Sequence, residues 1–181
     1  MKYTHRAYVV IIALLTGCGV PPNQMTDQDE QNPWVIRIDF TDNEKWAVVC
    51  DLIAAPQIDI GQKIYAYVQY KDEKRYADMD CHELVQSLPN DYPGFFCFMV
   101  DATTLNDDEH PILVVGFSPN SVEMEDYQRT PKQTPLSEIK TFRAIPATIQ
   151  SIENNLSIAN MDFEDFADSV DSDGVFRGFP R

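Results

Sequence analysis

An uninterrupted apolar run, Phe95–Val100 (FFCFMV), limits the possible folds of this chain more than any other segment. A strand with one solvated face alternates apolar and polar residues, so a run without alternation predicts a strand covered on both faces. Strands of this kind occur in α/β domains, in which helices cover both sides of a sheet. The turn signal at 90–94 (NDYPG) precedes the run, and we expect the run to form the central strand.

Strand patterns recur on both sides of this run. They are segments rich in Tyr, Val and Ile, or segments of alternating polarity, at 34–40, 63–71, 112–117, 141–145 and 175–179. The polar, Pro-bearing stretch at 118–139 predicts a long exposed loop. Because helical segments separate the first three strands, we expect those strands to be parallel and joined by right-handed crossovers.

Helix signals lie between the strands. Thr41 and Glu44 have the spacing of a capping box and precede an apolar stripe, which predicts helix one. Asp80 and Glu83 start a second helix, and two short helices are predicted after Pro146 and Asp162. The sequence therefore predicts a single α/β domain with a mixed sheet of about five to six strands and helices packed on it.

The N-terminus has the pattern of an export signal. Lys2 and Arg6 precede the apolar run 7–15, which is too short to span a bilayer, and the run ends at Leu-Thr-Gly-Cys18. This segment resembles the lipobox of bacterial lipoproteins, in which the Cys receives lipid and becomes the mature N-terminus. The resemblance implies a signal peptide at 1–17 and lipidation of Cys18. The alternatives are an ordinary signal peptide cut nearby and an unprocessed N-terminal helix.

The residues that follow predict how the protein is held. Residues 18–32 contain two Pro and few apolar groups, as in a disordered tether, and the α/β domain is expected at 33–181. We expect a cell-envelope lipoprotein whose membrane contact is the lipid on Cys18, since its acidic surface is repelled by anionic lipid. Gly19 stands where Asp would favour inner-membrane retention, so in a Gram-negative cell we expect the outer membrane, facing the periplasm.

Three segments carry a second resemblance. They are VIRIDFTDNEKWAVVC near the start of the domain, FMVDATTLNDDEHPILVV in its middle, and ENNLSIANMDFEDFADSVDSDGVFRGF at its end. Together they resemble an uncharacterised bacterial α/β domain family of unknown function, over residues 34–179. The resemblance implies the fold described above and no activity. The lipoprotein leader is a departure from that family.

The charge balance excludes one class of function. The chain has 29 Asp and Glu against 14 Lys and Arg, a net charge of −15, and so lacks the clustered cations that a nucleic-acid binder needs. No nucleophile elbow and no phosphate-binding loop occur, and no cofactor is implied. We expect no metal site, because Cys81 and His82 are adjacent rather than at zinc-ligand spacing. The segment Ser169–Gly174 resembles a calcium loop, but the bidentate Glu is missing.

The cysteines of the domain do not form an evident disulfide framework. Cys50 lies on the apolar stripe of helix one and Cys97 lies in the central strand, so both are interpreted as small buried hydrophobes. Cys81 opens helix two, and the length of that helix makes a bridge to Cys97 doubtful. We expect no essential disulfide, although the sequence leaves open whether any two of the three pair.

One histidine is a candidate for acid–base chemistry. His110 follows the acidic residues 107–109, so a carboxylate could orient it as a base in an envelope hydrolase. No Ser or Cys stands beside it at a recognisable spacing. The non-catalytic alternative is that His110 lies in a solvated polar loop. We assign no catalytic residue.

The acidic residues near the C-terminus are the strongest candidates for a binding surface. The predicted partner-contacting residues lie off the apolar face of the last helix or just after it: Glu164, Asp165, Asp168, Asp171 and Asp173. Our leading hypothesis is a lipid-anchored, non-enzymatic binding protein that docks a basic protein partner, of which an immunity-type toxin inhibitor is one version. The alternatives are the hydrolase using His110 and a structural envelope lipoprotein, for which the acids are a solvated face.

Overall fold

A six-stranded mixed sheet with helices on both faces forms the domain. The computed structural model describes residues 31–59, 61–117 and 138–180. The strands are β1 (Trp34–Arg37), β2 (Gln57–Asp59), β3 (Gln62–Ile64), β4 (Gln69–Lys71), β5 (Phe96–Val100), β6 (Ile112–Gly116), β7 (Lys140–Ala144) and β8 (Val175–Phe176). The α-helices are α1 (Asn43–Ala54), α2 (Cys81–Ser87), α3 (Ala102–Asn106), α4 (Ile149–Ser157) and α5 (Phe163–Ala167).

The strand order confirms the predicted α/β class. The order is β4-β1-β5-β6-β7-β8, and β2 pairs with β3 in a separate hairpin. The strands β4, β1 and β5 are parallel, as expected, whereas β6 is antiparallel to both of its neighbours. The short strand β8 runs parallel to β7.

The central strand β5 is buried along its whole length, as its sequence predicts. Its side chains alternate between two cores: Phe96 and Phe98 face α1 and α4, while Cys97 and Met99 face α2. Successive strand residues point to opposite faces, so an apolar strand can supply both cores at once. The α1 and α2 crossovers therefore cover opposite faces of the sheet.

Several element boundaries differ from the sequence predictions. Strand one is shorter than 34–40, because after Arg37 the Asp39 carboxylate accepts from Thr41 N–H (2.8 Å) and turns the chain. The predicted cap Thr41 is wrong: Asp42 caps α1 and accepts from the N–H groups of Glu44 and Lys45, both at 3.0 Å. The predicted start of a helix at Asp80 and Glu83 is confirmed, and in the structure these two residues form a capping box on α2.

The predicted strand 63–71 is two strands. Its first residues belong to β3, which pairs back on β2 across a turn in which Gly61 has φ +75°. Its last residues form β4, and between them Tyr67 N–H donates to the Glu153 carboxylate (3.2 Å) instead of to a strand. The hairpin therefore stands outside the main sheet.

Other differences concern short elements. Helix α3 was not predicted from the sequence, because it has five residues, two of them β-branched threonines, and is too short to show a helical period. The predicted strand 175–179 pairs only at Val175 and Phe176. The predicted loop 118–139 falls mostly at 118–137, outside the described residues, as do the predicted signal peptide and Cys18.

A close approach fixes α5 against the sheet. A Cβ built on Gly116 of β6 would lie 2.6 Å from the ring of Phe163, which is closer than two carbon atoms can pack. Glycine at this position lets the Phe163 ring lie on the strand backbone. From there α5 packs into an aromatic cluster with Phe142 of β7 and Phe176 of β8.

Candidate functional site

The acidic residues predicted to contact a partner lie on and after α5. This helix buries Phe163 and Phe166 and packs Ala167 against the core, so its acidic side chains face solvent. Glu164, Asp165 and Asp168 are all exposed. We use the term acidic face for α5 with the loop that follows it, together with the acidic side chains of Asp162, Glu164, Asp165, Asp168, Asp171, Asp173 and Glu109.

Arg177 holds three of these acids together. Its guanidinium donates to Asp171 (2.9 Å), Asp173 (2.8 Å) and, through two nitrogens, Glu109 (2.5 and 3.0 Å). Hydrogen bonds from Arg177 lower the pKa of Asp173 to about 2 and hold the pKa of Glu109 below its usual value. The two aspartates of the calcium-like segment therefore face a guanidinium. Since the acids are more than half exposed, these pairs order the loop and add little stability.

The remaining predicted acids differ in their partners. Lys140 pairs with Glu164 and lowers the pKa of its carboxyl. The Asp165 carboxylate accepts from Asp162 N–H (2.8 Å), which closes the first turn of α5. Among the described residues, Asp168 has neither a hydrogen bond nor an ion pair through its side chain.

The net charge of the acidic face stays strongly negative. Seven carboxylates are exposed there, and the cations that pair with them in the described part of the chain are Lys140 and Arg177. Arg177 alone is shared by three carboxylates, so it compensates one charge among them. A surface of this kind attracts cationic groups and accelerates their encounter with the protein.

Among the described residues, His110 meets no carboxylate. Its Nδ1 lies 2.9 Å from the carbonyl oxygen of Thr104, which can only accept, so Nδ1–H donates this hydrogen bond. Two of its three acidic neighbours are engaged elsewhere, Glu109 by Arg177 and Asp107 by the backbone N–H of Glu109, and Asp108 forms no bond with the imidazole. His110 has φ +50°, a conformation rare for residues other than glycine.

A second charged cluster lies at the carboxyl ends of the parallel strands. Asp101, directly after β5, caps α3 and forms two hydrogen bonds with Arg143 of β7 (2.5 and 3.2 Å). Burial alone raises the pKa of Asp101, but the bonds from Arg143 and Thr104 outweigh burial and lower it. In open α/β sheets this edge is where ligands bind. Here the charges of Asp101 and Arg143 pair with each other, so neither is left unpaired for a ligand.

Arg37, at the end of β1, is the most deeply buried charge of the same edge. It is 2% exposed, donates to Asp72 (3.2 Å), and lies between the rings of Phe40 (4.6 Å) and Trp46 (5.6 Å). Arg37, Asp101 and Arg143 were not predicted from the sequence as site residues. A charged residue inside or directly after an apolar strand was the signal that pointed to them.

The described cysteines form no disulfide with one another, and the thiols of Cys81 and Cys97 are poorly ionised. Cys50 and Cys97 are buried, as predicted, and Cys81 opens α2 at the edge of the core. Burial raises the pKa of Cys97, and burial together with the charges of Asp80 and Asp101 raises that of Cys81. Thiols with raised pKa values are weak nucleophiles, because the thiolate is the reactive form.

The fold and these clusters define a class. The protein is an α/β domain with a mixed sheet, helices on both faces and an ordered acidic face at one side. The chain belongs to the family described as Domain of unknown function (DUF6924), whose model matches residues 32–179. No significant match to the chain is found among the curated proteins or among the solved structures. In the part of the chain that the structure describes, no helix is long and apolar enough to cross a bilayer.

Proposed function

We propose that this protein is an exported, lipid-anchored binding protein that docks a basic protein partner on its acidic face. The observation that carries the proposal is that exposed carboxylates outnumber cations on α5 and the loop after it, both of which are held in place by the rest of the domain. Phe163 and Phe166 fix α5 to the sheet, and Arg177 fixes the loop after it. A charged surface that is already ordered loses little conformational entropy when a partner binds.

The position of Asp168 supports docking at the end of α5. Its carboxylate is exposed and has no internal cation among the described residues, and it lies at the C-cap of the helix. A negative charge at a helix C-terminus is disfavoured by the helix dipole. A cation from a partner would offset that repulsion, so the Asp168 carboxylate is stabilised more by a basic partner than by water.

The export signal and the charge together favour an envelope role. Lipid on Cys18 would hold the domain at a membrane surface that its own charge repels, with residues 18–32 as spacer. An acidic protein held in the cell envelope meets incoming basic proteins before they reach the cytoplasm. An immunity-type inhibitor of a secreted toxin is one form that this role could take.

Reversing the charge of Asp168 tests the acidic face. The partner is first identified by cross-linking in the native cells and is then purified. We expect it to bind the Asp168→Lys variant roughly tenfold more weakly than it binds the wild type, mainly because association is slower. Wild-type affinity is expected to fall as salt rises. Surface plasmon resonance at two salt concentrations measures both effects.

Asp91→Lys is the matched control for this charge reversal. Asp91 is exposed in the loop before β5 and has no side-chain bond among the described residues. The control changes net charge by the same amount, and its affinity is expected to stay within about twofold of wild type. Equal binding by Asp168→Lys and wild type, or a partner without excess Lys and Arg, would contradict the proposal.

The anchor is tested by the mass of the protein extracted from native membranes. We expect loss of residues 1–17 and added acyl mass on Cys18, because lipidation makes that cysteine the new N-terminus. The Cys18→Ala variant is expected to be absent from the lipidated protein fraction and to have the mass of the uncleaved precursor. An unmodified Cys18 in the native protein would disprove the anchor and leave the acidic face to be judged separately.

A further inference from the structure

An uncharged cleft opens on the face of the sheet that carries α1 and α4. It has a volume of about 530 Å³ and lies between the β2–β3 hairpin, the first turns of α4 and the chain after β8. This volume lies within the range of small-molecule sites, roughly 300–1,000 Å³. The hairpin wall contributes Gln57 and Ile58, α4 contributes Gln150 and Asn154, and the C-terminal wall contributes Phe179.

The chemistry of the walls is unusual for this protein. Although the chain carries 43 charged side chains, 29 acidic and 14 basic, none of the described residues that line the cleft is charged. A charged ligand would therefore lose its hydration without meeting a counter-charge. The cleft accordingly selects for a neutral ligand, unlike the acidic face.

Three side-chain amides in the cleft have no partner in the described part of the protein. Gln57, Gln150 and Asn154 form no side-chain hydrogen bond there, whereas the neighbouring Asn155 is bonded to Ser151 (2.8 Å) and Asn160 (2.6 Å). Each free amide offers two donors and one acceptor. Such a mixture matches hydroxyl groups, which donate and accept at the same atom.

Apolar groups complete the cleft. Phe179 is 39% exposed, and Phe166 and Phe176 hold its ring at centroid distances of 5.4 and 5.0 Å. Ile58 on the opposite wall is 67% exposed. A fixed aromatic ring has an electron-rich face that attracts polarised C–H groups. A sugar ring has an apolar C–H face and a rim of hydroxyls, and therefore fits both kinds of wall.

We propose that this cleft binds a neutral saccharide chain. A peptide fits less well, because strand addition needs a row of open backbone donors and acceptors. The hairpin strands are three residues each, and the α4 wall is a helix whose backbone groups are bonded within it. Recognition therefore depends on side-chain amides and a ring, which suit hydroxyls better than a peptide backbone.

Calorimetric titration of the full chain with neutral tetrasaccharides tests this proposal. We use cellotetraose, maltotetraose and the fully N-acetylated chitotetraose, with a blocked tetra-alanine peptide as the competing class. At least one saccharide is expected to bind saturably with a Kd of about 1 mM or tighter. Its affinity is expected to be the same at low and high salt, which distinguishes the cleft from the acidic face.

Variants locate the binding. Asn154→Ala and Phe179→Ala are each expected to weaken saccharide binding roughly tenfold. Asn90→Ala, an exposed amide in the loop before β5, is the matched control and is expected to leave binding unchanged, as is Asp168→Lys. Absence of saturable binding by all three sugars, binding of the peptide alone, or equal binding by the cleft variants and wild type would overturn the proposal.

Discussion

The Phe166→Ala variant is expected to be destabilised by about 4 kcal/mol, as for other large-to-small changes of a buried aromatic residue. Phe166 is fully buried. Its ring stacks near Phe142 (6.3 Å) and meets Phe176 and Phe179 edge-on or tilted, both at 5.4 Å. Its removal leaves a cavity where α5, β7 and β8 meet, and the surrounding rings cannot close it. Denaturant unfolding followed by circular dichroism measures the loss.

The matched control for this variant keeps an apolar side chain in the same place. Phe166→Leu fills part of the cavity and is expected to cost clearly less than Phe166→Ala. If the cluster holds α5 as described, hydrogen exchange in α5 and β8 should also increase in Phe166→Ala. Equal stability of Phe166→Ala and wild type would show that α5 does not depend on this ring.

The Asp101→Ala variant is expected to lose about 3 kcal/mol through two separate interactions. Its carboxylate caps α3 by accepting from Thr104 N–H, and it pairs with Arg143, which is only 23% exposed. Removing it leaves the guanidinium with the Pro111 carbonyl and no counter-charge. An unpaired charge at this depth costs more than the pair contributes when it is intact.

The Asp101→Asn variant separates the two interactions. Asparagine caps a helix as well as aspartate does, so only the charge on Arg143 stays uncompensated and a smaller loss is expected. Since the pKa of Asp101 is lowered in the fold, its contribution to stability is present above about pH 4, its unfolded value. That contribution disappears as pH falls through the folded pKa. Acid titration of stability should therefore be flatter for Asp101→Asn, and an unchanged slope would contradict the ion pair.

The main sheet could be predicted because its strands carry strong local patterns. Phe95–Val100 is apolar at every position, and in the structure β5 supplies both cores. The capping box at Asp80 and the helical spacing after Asp162 likewise depend on residues three or four apart. Patterns confined to one element can be recognised without knowledge of the rest of the fold.

The missing parts depend on contacts between distant residues. Tyr67 leaves the predicted strand because its N–H meets Glu153, 86 positions later. Burial raises the pKa of Glu153, and its carboxylate is placed by α4, not by any local signal. The Arg177 cluster is similar, since Glu109 is 68 positions away and nothing in the acidic stripe predicts it. Only the i, i+4 spacing of Asp173 and Arg177 gave a local hint.

The place of β1 in the sheet has a consequence for biosynthesis. β1 is the first strand of the domain to leave the ribosome, yet its neighbours β4 and β5 follow only with residues 69–71 and 96–100. Until then both edges of a strand that ends up fully buried stay open, and such edges pair readily with other chains. A nascent chain shorter than about 100 residues thus resembles an aggregation-prone folding intermediate. β4 covers one edge of β1, and completion of β5 covers the other.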